Sequence, residues 1–139
     1  MSRFVLDASV SLRWFLDSTV PAYANRVRNL LIGGALAIVP ALWHLEMANG
    51  FAIAQRRGIL AAADVDRSLL HVEQLLARVI ETDSSLVSVR KSLQTARKFR
   101  LSAYDATYLD TAQRDNLPLA TLDQPLRAAA RLAGVDLLD

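Results

Sequence analysis

Short apolar runs alternate with stretches of helical period along the whole chain, and this alternation limits the folds open to it. The run "RFVL", residues 3 to 6, is β-favouring and ends at Asp7. "ASVSLRWFLD" then has a helical pattern, and Pro21 opens a second helical stretch through about Leu31. A glycine turn leads to the buried-strand pattern of residues 36 to 39, and Pro40 suits the first turn of a helix. That helix, "ALWHLEMANGFAIAQRRG", reaches a stop signal at Arg56, Arg57 and Gly58. Val65, Leu69, Val72, Leu75 and Leu76 recur at helical spacing in the next segment. "VIETD" reads as a strand, and "SSLVSVRKSLQTARKFR" as a helix with a serine start. "LSAYDATYLDTA" begins a helix that runs to about Asp115, and "NLPLATLD" is a turn and a strand ending at Asp123. "QPLRAAARLAG" is a helix closed by Gly134, and "VDLL" is a last strand. Apolar strands separated by helices specify an α/β domain, a short, mainly parallel sheet flanked by helices in an α/β/α arrangement. With 139 residues and no repeat or linker, a single domain over 1–139 is expected.

Several kinds of chemistry are excluded. The chain has no cysteine, so disulfides, thiolate metal sites and cysteine nucleophiles are out, and a reducing cytoplasm is expected. His44 and His71 are the only histidines. Any metal would therefore be held mainly by oxygen, which points to Mg²⁺ or Mn²⁺. No run of about 18 apolar residues is present, so no membrane span is expected. Asp7 interrupts the first apolar region, so no signal peptide is expected either. Net charge is +2, yet 14 of the 16 basic residues are arginine, whose fork matches phosphate oxygens.

The acids sit at telling places. Sites in open α/β sheets form at the carboxyl ends of strands, and Asp7 and Asp123 each end one. Either could also be the N-cap of the helix that follows. Glu46 is the only acid between Asp17 and Asp64, in a helix with little polar surface. Asn49 and Gly50 follow it at i+3 and i+4, making a small polar face that suits a cleft. Asp105 lies three residues after Ser102, the spacing of a capping box, where the helix dipole also favours a carboxylate. If all four converge, each pair about 5 Å apart costs roughly 3 kcal/mol at an effective dielectric of about 20. A divalent cation between them is the natural compensation.

These segments resemble a known family. "VLDASV", "EMANGF", "LSAYDATYLDTA" and "LATLDQPL" look like the four acidic motifs of PIN-domain ribonucleases, in the same order and over nearly the full chain. The subgroup most like it is the VapC-like toxins of toxin–antitoxin pairs. The resemblance implies that Asp7, Glu46, Asp105 and Asp123 hold one or two Mg²⁺ or Mn²⁺ ions, with Ser9 and Thr121 as supporting hydroxyls. Each of those two hydroxyls could equally serve a local cap or turn. It also implies metal-dependent hydrolysis of RNA phosphodiesters by water, leaving a 5′-phosphate and a 3′-hydroxyl. A homodimer is implied, as is a cognate antitoxin whose tail fills the acidic cleft. Asp110 falls where many relatives carry a small or apolar residue, and it reads as a surface residue rather than a fifth ligand.

RNA needs cations outside an acidic cleft, and Arg90, Lys91, Arg97, Lys98 and Arg100 offer them, although a solvated helix face has the same look. Arg13, Arg56 and Arg57 are further candidates. Trp14 and Trp43 lie in apolar surroundings and suit core or subunit packing better than base stacking. "LRWFL" and the region around "LLIGGALAIV" supply apolar surface for either a core or an interface. Three other readings compete. A phosphoacceptor signalling domain wants paired acids after the first strand and a late lysine, and neither is present. A haloacid-dehalogenase-like phosphatase wants an aspartate where Ser9 stands. A catalytically silent PIN-like binding module would lack acids that this chain retains.

Overall fold

Strand β1 (Arg3–Leu6) is buried at Phe4, Val5 and Leu6 in succession, which requires cover on both faces. It pairs in parallel with β2 (Leu36–Pro40), and β2 pairs in parallel with β3 (Ile80–Asp83). On the other side of β1 lies β4 (Leu119–Ala120), with Val5 opposite Leu119 and Leu6 opposite Ala120. The sheet order is thus β3-β2-β1-β4, all parallel. The structure is a computed structural model and describes residues 2–139; Met1 of the expected 1–139 domain lies outside the described residues.

The chain steps outward from β1 to β3 and then returns to the far side of β1. That reversal makes a topological switch point between β1 and β4, and a crevice opens at the carboxyl ends of strands at such a point. Asp7 immediately follows β1 there, and its backbone N–H donates to the Ala120 carbonyl of β4 at 3.0 Å.

The helices are α1 (Ala8–Ser11), α2 (Arg13–Leu16), α3 (Ala22–Ile32), α4 (Ala41–Arg56), α5 (Ala62–Arg78), α6 (Val89–Phe99), α7 (Ala103–Asp115) and α8 (Gln124–Ala133). Helix α7 packs on β1, β2 and β4 and buries Ala106, Tyr108, Leu109 and Ala112. It runs back toward the start of β4, so its N-terminus stands at the carboxyl edge of the sheet. Pro40 is the N-cap of α4 rather than a residue inside its first turn. Gly134, at φ 72°, closes α8 in the left-handed conformation that glycine adopts freely.

Two expected elements differ. The helical stretch after Asp7 is two short helices parted at Leu12, where Phe15 N–H bonds the Leu12 carbonyl at 3.1 Å. This i to i+3 bond is a tight 3₁₀-type turn, set by packing rather than by the hydrophobic period. The "VDLL" segment is not a strand: Leu137 makes a single parallel bridge to Leu119. β4 offers only two residues of edge, and one bond on each side of Leu119, to Asp136 and Leu138, exhausts it.

Both tryptophans are core residues. Trp14 Nε1 donates to the Ala24 carbonyl at 2.8 Å, and Trp43 Nε1 donates to Ser11 Oγ at 2.9 Å. Ser11 in turn donates to the Met47 sulfur. These bonds fasten α1 to α4, and so fix Asp7 relative to Glu46. Within the other apolar stretches, Leu31, Ala35, Ala37 and Val39 are also buried in this core.

Candidate active site

Asp7, Ser9, Glu46, Asn49, Asp105 and Asp123 line one cleft of about 390 Å³ at the switch point. Ala8, Leu12, Gly50 and Ile53 complete its wall. Gly50 packs closely against the Leu12 side chain, whose methyl would have to shift to admit a Cβ.

Each acid is held differently. Asp7 is only 4% exposed, and its Oδ2 accepts from Ser9 Oγ and Thr121 Oγ1, both at 2.7 Å. The two hydroxyls lie 3.3 Å apart. They also accept from the chain at the end of β4: Leu122 N–H reaches Ser9 Oγ and Asp123 N–H reaches Thr121 Oγ1, each at 3.0 Å. Thr121 is thus behind Asp7 rather than on the cleft wall, and it serves as both local turn residue and support.

Glu46 Oε1 accepts from Tyr108 Oη at 2.5 Å. Asp123 Oδ2 accepts from Leu126 N–H at 3.0 Å, so this residue is an N-cap that also faces the cleft. At Asp105 only half of a capping box forms: its N–H donates to Ser102 Oγ at 3.1 Å. The Ser102 side chain also favours the ionised Asp105 carboxylate, which faces the cleft.

The electrostatics follow from this crowding. Burial raises the Asp7 carboxyl, the Ser9 and Thr121 hydroxyls oppose that rise, and Asp123 adds to it. Burial also raises Glu46, opposed by the Tyr108 bond and reinforced by Asp7 and Asp105. Asp105 is pushed up to about 6 by burial, then by Asp123 and Asp7. Burial, followed by Asp7 and Glu46, holds Tyr108 far above the ordinary phenol value, so it remains a donor. Among the described residues none of the four acids has a Lys, Arg or His ion-pair partner.

Uncompensated carboxylates of this kind fit a hard divalent cation. Among the described residues no three acidic or imidazole groups are gathered tightly enough to clasp one ion by themselves.

A family model described as the PIN domain matches residues 4–132 of the chain. The chain belongs to the PIN domain family. Its fold is similar to that of PAE2754 from Pyrobaculum aerophilum, with a TM-score of 0.64 and 22% identity over 92% of this chain and 86% of that one. It is also similar to FitAcB from Neisseria gonorrhoeae, with a TM-score of 0.63 and 17% identity over 98% of this chain and 96% of that one. A comparison with curated proteins finds no match.

In this PIN domain the basic residues do not enter the cleft. Arg90, Lys91, Arg97, Lys98 and Arg100 are exposed on and just after α6 and lie outside the cleft lining. Arg13 is engaged by Asp17 at 2.7 Å, while Arg56 and Arg57 are exposed at the end of α4.

Asp110 corrects the surface reading. Its side chain is largely covered and accepts from Thr95 Oγ1 at 2.6 Å, with Lys91 Nζ at 3.9 Å, so it ties α7 to α6. It takes no part in the PIN cleft. The residue that sequence reasoning missed is Tyr108, whose hydroxyl reaches Glu46. Its position three residues after Asp105 carried the signal, because i and i+3 share a helix face.

Proposed function

We propose that this PIN domain is a Mg²⁺- or Mn²⁺-dependent endoribonuclease, the toxin of a toxin–antitoxin pair. The observation that carries the reading is that Asp7, Glu46, Asp105 and Asp123, from four separate segments, line one cleft without a cationic side chain between them. The resemblance to the four acidic motifs of PIN-domain ribonucleases supports the same residues.

Asp7, Glu46, Asp105 and Asp123 would hold the cation, partly through its bound waters because no three of them close on one point, with Asp123 acting directly or through water. A divalent ion bound there supplies charge neutralisation at the phosphate and water of lowered pKa. The chain's own residues do the rest. Ser9 and Thr121 hold the buried Asp7 in one orientation. Asn49 offers an amide at the cleft mouth for a ribose or phosphate oxygen. No histidine or covalent nucleophile is required.

The exposed cations of α6 are proposed to take the RNA backbone on either side of the cut. Leu86, Val87 and Val89 are 100%, 66% and 85% exposed beside that helix, and this apolar patch is proposed as the face covered by a second copy of the chain. The acidic cleft is proposed to receive a basic residue of an antitoxin, which would supply the missing cation by another route. Among the described residues no helix is long and apolar enough to cross a membrane.

Incubation of the purified protein with total RNA tests the reading. Cleavage with Mg²⁺ or Mn²⁺ and none with EDTA, leaving 5′-phosphate and 3′-hydroxyl ends, is the expected result. Metal-independent cleavage, or 2′,3′-cyclic phosphate ends, would contradict it.

A further inference from the structure

Tyr108 is fully buried, and its hydroxyl lies beside Asp7, Glu46 and the Ala8 backbone. A buried hydroxyl is costly unless it finds a partner. The Tyr108 hydroxyl donates to Glu46 Oε1 at 2.5 Å, and among the described residues no other protein group donates to the Glu46 side chain.

Glu46 needs such a partner more than the aspartates do. Asp7 and Asp123 are short side chains held by hydroxyls or a backbone N–H. Glu46 has an extra methylene and reaches the cleft from α4, half-buried, with more rotamer freedom to lose. The Tyr108 bond occupies Oε1 from the core side and leaves Oε2 without a protein donor. Tyr108 sits on α7 one turn after Asp105, so the same helix that presents one acid also fixes another.

We infer that Tyr108 is a positioning residue: its hydroxyl locks the Glu46 carboxylate into the orientation in which it faces the acidic cleft and would meet a divalent cation or the waters bound to it. This rests on the metal-site reading above. Partners that orient a metal ligand in this way change metal affinity by about 10- to 100-fold when removed.

Mn²⁺ binding, followed by water-proton relaxation in the absence of RNA, tests the inference in a cycle of wild type, Tyr108→Phe, Glu46→Ala and the double variant. Tyr108→Phe is expected to weaken Mn²⁺ binding about tenfold in the wild-type background and to have no effect once Glu46 is alanine. A purely structural hydroxyl would lower the melting temperature and leave Mn²⁺ affinity unchanged, which would overturn the inference. Equal weakening with and without Glu46 would overturn it too. Glu46→Asp supplies an independent arm, because it keeps the charge and withdraws it from the hydroxyl; wild-type affinity in that variant would also overturn the inference. Wild type that binds no Mn²⁺ would instead remove the metal-site reading, and this inference with it.

Discussion

Thr121 Oγ1 donates to Asp7 Oδ2 at 2.7 Å, joining the end of β1 to the residue after β4 across 114 positions of sequence. Thr121 is itself fixed, since its carbonyl accepts from Arg127 Nη1 at 2.8 Å. Thr121→Val keeps the shape and removes the donor. It should cost about 2 kcal/mol of stability in urea unfolding, the usual worth of a hydrogen bond to a charged group. Thr121→Ser should recover most of that loss. Wild-type stability in the valine variant would mean that Ser9 alone satisfies Asp7.

Asp105 makes the metal-free protein sensitive to pH. Its carboxyl is raised to about 6 in the fold, above its ordinary unfolded value of about 4. The folded state therefore holds this proton more tightly. The group's stabilising contribution is full below about pH 4 and is lost as pH climbs through about 6. Asp105→Asn should flatten that part of the curve. At pH 7 in EDTA the variant should be more stable than wild type by about 1 kcal/mol, the full shift being reduced because the carboxylate is half-exposed and screened. Thermal melts of both proteins from pH 4 to 8 check this, and a less stable variant at pH 7 would contradict it.

Divalent cations should stabilise the protein where those carboxylates are ionised. At a free Mn²⁺ concentration of 100 times the dissociation constant, the gain is about 2.7 kcal/mol by mass action. The rise in melting temperature should be larger at pH 7.5 than at pH 5 and should shrink in Asp105→Asn. A rise that is the same at both pH values would place the ion elsewhere.

The exposed cations of α6 make a prediction about salt. Binding of a cleavage-resistant single-stranded RNA should weaken with ionic strength, and removing Arg97 and Arg100 together should reduce the log–log slope by about 1.4, from about 0.7 per phosphate contact. An unchanged slope would leave these residues as a solvated helix face.

The parts of this fold legible in sequence are those set by local pattern. Apolar runs mark β1 and β2, and Ser102 marks the start of α7, whereas α6 starts at Val89 behind its Ser88 cap and not at the earlier serines Ser84 and Ser85. Asp7, Asp105 and Asp123 stand at a strand end or a helix start, positions that sequence punctuation marks, whereas Glu46 lies beyond the first turn of α4 and is marked only as the one acid between Asp17 and Asp64. The misses depend on distant partners. β4 pairs with β1 over only two residues, and its outer edge admits the single Leu137 bridge. The covered Asp110 depends on Thr95 across two helices. The role of the Tyr108 hydroxyl depends on Glu46, 62 residues away, and no local pattern separates it from a tyrosine that merely packs.

The proposed activity, metal-dependent cleavage of RNA, rests on four acids that line one cleft of this PIN domain. The most direct test compares wild type with Asp105→Asn on a mixed RNA pool in Mg²⁺, Mn²⁺ or EDTA, once circular dichroism shows that both fold alike. Asparagine keeps the size of the side chain and leaves the Ser102 cap bond in place. The account predicts cleavage by wild type that needs metal and disappears in the variant. Equal cleavage by both proteins would contradict it, reducing Asp105 to a helix-start residue and removing the four-acid site.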